Sequence, residues 1–284
     1  MRGLTDLVDT TLPDARGVSS FNRPGTITLL STNSKVIQKL GPATREKVKP
    51  GAMPPTVAEA FIAAEDRRFY QHDGVDGWGI ARAIVTNVRQ GAVREGASTI
   101  TQQLARTVFL SQDRTITRKL KEAALAMKLE RQLSKQQILE QYLNYVYLGS
   151  GAYGVADAAW IYFSKTAEQL TVPEAAMIAG LPPAPSIYSP LVNPDLAKER
   201  RSIVLDRMAQ AGFISASEAE RGRNSPLGLK PATPKYFNSS APYFTTWIAQ
   251  ELPKYLTPEQ LEVGGIQVRT SLNLDWQKKA QQVI

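Results

Sequence analysis

The chain has 284 residues, of which 43% are hydrophobic and 21% charged, so a packed core is expected and wholesale disorder is not. It contains no cysteine, which excludes disulfides, thiolate catalysis and cysteine-ligated metal sites. The formal net charge of +8 favours an anionic partner such as a phosphate group, a nucleic acid or a lipid surface. No apolar run reaches the about 18 residues of a membrane-spanning helix, and the first residues lack the pattern of a signal peptide.

The first predicted elements form a short β-hairpin, in which Thr26–Leu30 and Val36–Leu40 flank a turn at residues 32–34. Residues 1–50 are therefore assigned to an N-terminal segment, and the linker-like sequence "KPGAMPP" at residues 49–55 leads into the next domain. Residues 51–235 are predicted to form the main domain, because helical periodicity and capping boxes recur along them without strand–helix alternation.

The first long helix of this domain is predicted to begin at a capping box, with Thr56 as the N-cap and Glu59 three residues later. Its apolar stripe ends beside Glu65, in the sequence "AAEDRRFYQHDGVD". A carboxylate at the edge of an apolar stripe is partly desolvated, which raises its pKa toward the range of a general acid or base. The alternative is that Glu65 is a surface carboxylate paired with Arg68 or Arg67 and takes no part in catalysis.

The same sequence contains the only histidine of the chain, His72, among several acids. His72 has no second histidine at the spacing of an HExxH motif, and "DGVDG" lacks the spacing and the terminal glutamate of an EF-hand. A dedicated metal site is therefore not predicted, and Asp73 and Asp76 are expected to shape a turn.

A strip of uncharged hydrogen-bonding side chains follows in "EGASTITQQLART". Gly96 favours a flexible loop, and Ser98, Thr99 and Gln103 lead from it into a predicted helix. Such a strip suits a sugar or phosphate oxygens as ligand, although a capped helix start explains the same residues without one. Neither a GxSxG nor an SxxK motif accompanies Ser98, so serine acyl transfer is not supported.

Residues 113–135 are predicted to form a helix with two buried faces. One face is apolar and consists of Ile116, Leu120, Ala123 and Met127. The other places Glu122 among leucines, with Arg118 and Lys119 one turn earlier, where they would keep its carboxylate ionised. Together with Arg106 and Arg114 these cations suit a pyrophosphate leaving group, and a solvated basic helix face is the alternative.

Three further capping boxes begin predicted helices at Ser134, Thr171 and Ser215. After about residue 235 the pattern changes to turns, one alternating strand around Val268 and the start of a helix. A lone strand and a short helix bury little surface. Residues 236–284 are therefore predicted to be a linker and the start of a following domain in a longer protein.

The sequence indicates a reaction at an anomeric carbon, because it combines two partly buried glutamates, a polar strip and a cation cluster. Paired carboxylates are typical of such chemistry, and cations that neutralise a phosphate favour glycosyl transfer from a phosphate-linked sugar over hydrolysis of a glycan. Two alternatives remain open: a lysozyme-like hydrolase with Glu65 as general acid, and a non-catalytic basic module that binds anionic lipid.

The motifs resemble those of a known family in order and spacing: "AEDRRFYQHDGVD", "GASTITQQLAR", "RKLKEAALAMKLE", "SKQQILEQYLNYVYLGSGAYGV" and "AAWIYFSK". The chain is similar over roughly residues 50–210 to glycosyltransferase family 51, the peptidoglycan glycosyltransferase domain of bifunctional class A penicillin-binding proteins. Residues 264–284 resemble the segment that leads into the transpeptidase domain of these proteins.

The resemblance implies a mainly α fold, with a lysozyme-like helical lobe, a smaller membrane-proximal jaw lobe and short β segments. It implies polymerisation of lipid II into β-1,4 glycan strands with inversion, and release of undecaprenyl pyrophosphate. The implied partners are lipid II, the growing strand, the membrane surface and other cell-wall synthesis proteins, and not nucleic acid. The implied location is the extracytoplasmic face of the bacterial cytoplasmic membrane, with an anchor in the full-length protein.

The resemblance also implies roles for single residues, with Glu65 as the catalytic base and Glu122 as a second essential glutamate that orders the site and assists the leaving group. The implied substrate-binding residues are Asp66, Phe69, His72, Gly96, Ser98, Thr99, Gln103, Arg106, Arg114, Arg118 and Lys119. No residue is assigned to a metal and no cofactor is expected to be required, although Mg²⁺ or Mn²⁺ at the pyrophosphate is compatible with the family. Three departures, Arg106 for lysine, Thr107 for asparagine and Ser164 for glycine, affect positioning and remove no catalytic group.

Because lipid II is embedded in a membrane, apolar residues between positions 80 and 120 are hypothesised to touch the bilayer. The residues that motivate this hypothesis are Ile80, Ile84, Val85, Val108, Phe109 and Leu110. Ordinary core packing is the alternative for each of them.

Overall fold

The computed structural model describes residues 13, 17–20, 27–40, 47–49, 51–82, 98–110, 115–232, 239–257, 260 and 265–283. Its helices are α1 (Gly17–Ser20), α2 (Pro55–Glu65), α3 (Ile100–Phe109), α4 (Ile116–Gln132), α5 (Lys135–Tyr145), α6 (Val155–Phe163), α7 (Val172–Ala179), α8 (Pro185–Tyr188), α9 (Pro194–Gln210), α10 (Ala216–Asn224), α11 (Pro242–Glu251) and α12 (Leu274–Val283). The strands are β1 (Ile27–Leu30), β2 (Val36–Leu40) and β3 (Ile266–Arg269). The prediction of a mainly α fold with short β segments is confirmed.

Helix α2 lies at the centre of the main core, where it packs against α7 and α9. Its predicted apolar stripe is confirmed, since Val57, Ala60, Phe61 and Ala64 are all buried. A second group of helices, in which α3 packs on both α4 and α5, completes this core. The C-terminal end of α2 therefore opens where the two groups meet.

The capping boxes at Ser134, Thr171 and Ser215 are confirmed as the starts of α5, α7 and α10. The box predicted at Thr56 is wrong, because α2 begins one residue earlier, at Pro55, and no side chain caps it. Proline suits a first helical position, since its ring sets φ and it has no N–H that would need a partner. The carbonyl of Pro54 then accepts the first helical hydrogen bonds instead of a threonine side chain.

Helix α4 has one buried face, not the two that its sequence predicts. Glu122, Leu125, Ala126 and Leu129 are buried against the core as expected. The predicted apolar face is largely in solvent, with exposed fractions of 83% for Ile116, 67% for Leu120 and 43% for Met127. Both stripes have helical periodicity, and only the position of the neighbouring helices selects which one is covered.

The predicted hairpin is confirmed, because β1 and β2 pair antiparallel with Ile27 opposite Leu40. The C-terminal strand is not alone, however: β3 pairs parallel with β1, so the sheet order is β2-β1-β3. A parallel pair needs a long crossover, and here the whole helical domain lies between the two strands. The N-terminal and C-terminal segments thus share a second, smaller core, in which Leu29 and Leu252 are buried.

Across the described ranges, no helix combines the length and the hydropathy needed to cross a bilayer.

Candidate active site

A cavity of about 540 Å³ opens at the C-terminal end of α2. It is bounded by the loop after α2, the start of α3, the turn before α8 and one face of α9. The lining is rich in arginine and contains Glu65, Asp66, Ser98, Thr99, Gln103, Arg106, Arg200 and Arg207. Five of the sequence-predicted site residues, from two separate sequence motifs, are thus brought together around Glu65.

The loop after α2 is held to the start of α3 by Asp66. Its carboxylate lies 3.0 Å and 3.1 Å from His72 Nε2 and accepts from the Ile100 backbone N–H at 3.1 Å. His72 Nδ1 accepts from the Gly74 N–H, which assigns the ring proton to Nε2 and makes His72 a donor to Asp66. The hydroxyl of Thr99 donates to the Gly74 carbonyl at 2.6 Å and also caps α3. The single histidine is therefore a buried structural residue of the loop.

Gly74 allows this loop to approach α4 closely. Its φ is +93°, and a Cβ atom there would lie 2.7 Å from the Ala126 carbonyl carbon. No side chain is accommodated at such a distance from backbone, so glycine is required for the contact. Because α4 carries Glu122, this approach sets the distance between the Glu65 and Glu122 regions. Phe69, also predicted for the site, is buried under this loop, with the Lys135 amine 4.5 Å from its ring centroid.

Glu65 is one of the carboxylates that line the cavity. It is partly buried, and its Oε2 atom accepts a hydrogen bond of 2.7 Å from Gln103 Nε2. Burial raises the pKa of Glu65, while the hydrogen bond from Gln103 and the charges of Arg200, Arg207 and Arg106 act in the opposite direction. A carboxylate that is poorly hydrated and still ionisable is suited to accept a proton from a substrate hydroxyl. The alternative of an ion pair with Arg68 is not realised, since Arg68 Nε lies 3.8 Å from Asp76 Oδ2.

Glu122 holds two cations in place. Its side chain is 1% exposed and accepts from Arg118 and, at 2.9 Å, from Lys119 Nζ. Lys119 Nζ also donates to the Ser98 hydroxyl at 2.7 Å, and Ser98 lines the cavity. With its oxygens occupied and no access to the cavity, Glu122 positions cations and is not placed to accept a proton from a substrate.

The cations on this side of Glu65 are in excess of their acidic partners. Burial, followed by the charges of Arg106 and Arg118, lowers the pKa of Lys119. Within the described ranges Arg106 forms no ion pair, although it lines the cavity. Because these cations repel each other, binding of an anion between them is electrostatically favourable.

The sequence interpretation missed the cavity residues of α9. Arg200 lies over the Tyr188 ring at 5.1 Å and Arg207 donates to the Ala64 carbonyl at 2.6 Å, directly before Glu65. Their spacing of seven residues, two helical turns, places both on one face of α9 and was the available signal. Of the predicted site residues, Gly96 and Arg114 lie outside the described part of the chain.

Within the described ranges, no group of three His, Asp or Glu side chains could hold a metal ion. The carboxylates that line the cavity already have partners, since Glu65 accepts from Gln103, Asp66 binds His72 and Asp76 lies 3.8 Å from Arg68. The part of the chain that the structure describes therefore shows no site where side chains alone would hold a divalent ion.

The family model described as Transglycosylase matches residues 33–209. The chain is 43% identical over 274 residues to penicillin-binding protein 1A of Neisseria lactamica, and 40% identical over 273 residues to that of Aquifex aeolicus. These alignments cover 96% and 95% of this chain but 34% and 37% of the relatives, so the chain spans about a third of their length. A solved penicillin-binding protein 1A from Haemophilus influenzae is similar with a TM-score of 0.45 and 25% identity, over 93% of this chain and 29% of that one.

Proposed function

The chain belongs to the transglycosylase family and carries a peptidoglycan glycosyltransferase domain, and from this premise we propose that its cavity elongates glycan strands from lipid II. The observation that carries the proposal is the position of Glu65, between the Gln103 amide and an arginine-rich wall. The hydrolase alternative is not favoured, because a finished glycan offers no pyrophosphate for the cations to bind. The alternative of a non-catalytic lipid-binding module does not account for a partly buried carboxylate in a cationic cavity.

In the proposed reaction, Glu65 removes the proton from the 4-hydroxyl of the acceptor lipid II. The acceptor oxygen attacks the anomeric carbon of the growing strand from the face opposite the pyrophosphate. The new β-1,4 bond forms as the bond from the anomeric carbon to the pyrophosphate oxygen breaks, and the electron pair leaves with that oxygen. Inversion follows from this single displacement.

The leaving pyrophosphate is proposed to bind at Arg106, Arg118 and Lys119. Lys119 bridges Glu122 and Ser98, so this charge is fixed before the reaction begins and needs no reorganisation as the phosphate leaves. We propose that a protein-held metal is not required. A divalent ion such as Mg²⁺ or Mn²⁺ would take most of its ligands from the phosphates and water.

Incubation of the protein with lipid II tests this function. We expect glycan strands on a gel, together with released undecaprenyl pyrophosphate, and we expect strands to form when a chelator replaces Mg²⁺. Release of muropeptides from finished peptidoglycan without any need for lipid II would instead support the hydrolase. No product from either substrate would contradict an enzymatic role for the isolated domain.

Lipid II has a polyprenyl chain, so we propose that the domain works against the extracytoplasmic face of the bacterial cytoplasmic membrane. Among the described residues of the set hypothesised from the sequence, Ile80 is exposed, with 36% of its surface accessible. Val108, Phe109 and Leu110 pack partly buried against the main core, while Ile84 and Val85 lie outside the described residues. The exposed stripe of Ile116, Leu120 and Met127 on α4 is better placed, since the cations of α4 lie on the same helix.

Loss of this stripe is expected to weaken membrane binding. The double variant Ile116→Ser and Leu120→Ser should bind phosphatidylglycerol-containing vesicles about tenfold less tightly, because two apolar side chains no longer enter the lipid. The matched control is Leu191→Ser with Val192→Ser, two exposed apolar residues elsewhere on the surface. Equal vesicle binding by the two double variants would contradict lipid contact at α4.

A further inference from the structure

The amide of Gln103 has a partner at each end. Its Nε2 atom donates to Glu65 Oε2 at 2.7 Å, and its Oε1 atom accepts from the Tyr142 hydroxyl at 3.1 Å. One end of an amide is a donor and the other an acceptor, so the partner of one end influences which atom the other end presents. A continuous chain of hydrogen bonds thus runs from α5 through α3 to the end of α2.

We propose that Tyr142 is a positioning residue for glycosyl transfer, whose hydroxyl holds the Gln103 amide with its N–H group toward Glu65. This inference rests on the proposed function, in which Glu65 is the base. With the amide reversed, Gln103 Oε1 would face the carboxylate, and the Tyr142 proton would lose the only acceptor it has within the described ranges. A buried hydroxyl proton without an acceptor is costly, so Tyr142 opposes the reversed orientation.

The reversed orientation becomes attractive only when Glu65 takes up a proton, because a carboxylic acid can donate to an amide oxygen. By opposing that arrangement, Tyr142 favours the ionised form of Glu65, which is the form that acts as the base. The hydrogen bond from Tyr142 to Gln103 therefore limits how far burial raises the pKa of Glu65, in addition to the effect of the surrounding arginines.

Tyr142 is itself held firmly. It is 1% exposed, and its ring meets the ring of Phe61 edge to face with centroids 6.1 Å apart. Phe61 lies one turn before Glu65 on α2, so the tyrosine is positioned by the helix that carries the base. Burial, and then the negative charge of Glu65, raises the pKa of Tyr142 well above its usual value, so its hydroxyl remains a donor.

Other charged groups also act on this pair. Arg106 of α3, Arg200 and Arg207 of α9 and Asp66 after α2 contribute to the electrostatics of Glu65 or Tyr142. The change Tyr142→Phe leaves all four in place and preserves the buried ring. A change in the pH profile of this variant therefore reports on the Gln103 amide.

The test is the pH dependence of lipid II polymerisation by Tyr142→Phe. We expect kcat/KM near neutral pH to fall by about three- to tenfold, the effect of weakening one hydrogen bond to a charged group. We expect the acidic limb of the profile to move to higher pH, with KM almost unchanged. The matched control is Tyr162→Phe, which removes a buried hydroxyl that donates to the Leu148 carbonyl at 2.7 Å, and its profile should match the wild type.

A double-mutant cycle separates the relay from simple packing. Gln103→Met should move the acidic limb in the same direction, and adding Tyr142→Phe should then cause no further change. An unchanged acidic limb in Tyr142→Phe, or a full additional loss on the Gln103→Met background, would overturn the proposal. If thermal unfolding shows that Tyr142→Phe is not folded, Tyr142→Met, which also lacks the hydroxyl, takes its place in the cycle under the same criteria. Wild-type protein that makes no strands contradicts the proposed function instead.

Discussion

Glutamine in place of Glu65 is expected to abolish the polymerisation of lipid II. A positioned general base contributes about 10²- to 10⁴-fold to a rate, and glutamine cannot accept the proton. Glutamine keeps the size of the side chain, and its amide oxygen can still accept from Gln103 Nε2, so the cavity is expected to persist. Strand formation on gels, measured over a range of enzyme concentrations, quantifies the loss.

The same variant is expected to be at least as stable as the wild type at neutral pH. Burial raises the pKa of Glu65 above its value in the unfolded chain, so the folded state binds the proton more tightly. The free energy of unfolding contributed by Glu65 is therefore lost as the pH rises from the ordinary carboxyl pKa through the raised one. Thermal unfolding at about pH 4 and about pH 7 should show an advantage of glutamine that grows with pH.

The matched control is Glu59→Gln on the same helix. Burial also raises the pKa of Glu59, but this residue does not line the cavity. The Glu59→Gln variant should therefore retain near-normal polymerisation of lipid II. Near-normal strand formation by Glu65→Gln would remove Glu65 as the base, whereas equal losses in both variants would indicate damage to α2.

Replacement of Glu122 by glutamine is expected to lower both activity and stability. The neutral amide leaves Arg118 and Lys119 without their acidic partner, and loss of one member of a buried pair is destabilising. Because Lys119 is partly exposed, we expect a loss of about 1–3 kcal/mol in the free energy of unfolding. Polymerisation should fall about 100-fold or more, because the cations for the pyrophosphate are no longer fixed.

Glu130→Gln separates these two effects. Glu130 lies on the same helix, its side chain is 5% exposed, and it pairs with Lys135 at 2.8 Å and accepts from Thr101. We expect a comparable loss in thermal stability but little change in polymerisation, since this pair lies outside the cavity lining. Full activity in a folded Glu122→Gln variant would contradict the role assigned to Glu122.

Local sequence determined the elements that depend on neighbours along the chain. Capping side chains three residues from their partners placed the starts of α5, α7 and α10, and the alternating strands and their turn placed the hairpin. The edge position of Glu65 on α2 and the pairing of Glu122 with Arg118 and Lys119 also follow from helical spacing. The family resemblance extended these local patterns to a reaction, because several motifs occur in order.

Only the tertiary structure decided which of the two faces of α4 is buried. It alone also showed that β3 pairs with β1, although the whole helical domain lies between them in the sequence. It also brought Arg200, Arg207 and Tyr142 to Glu65, from helices that follow it by many residues. Helical periodicity shows which residues share a face of a helix, but not which other element covers that face. Hydrogen bonds between helices that are far apart along the chain produce no characteristic residue spacing. The sequence by itself thus determined the starts of α5, α7 and α10 and the candidate base, because these depend on neighbours along the chain. Packing determined which arginines and which amide surround that base.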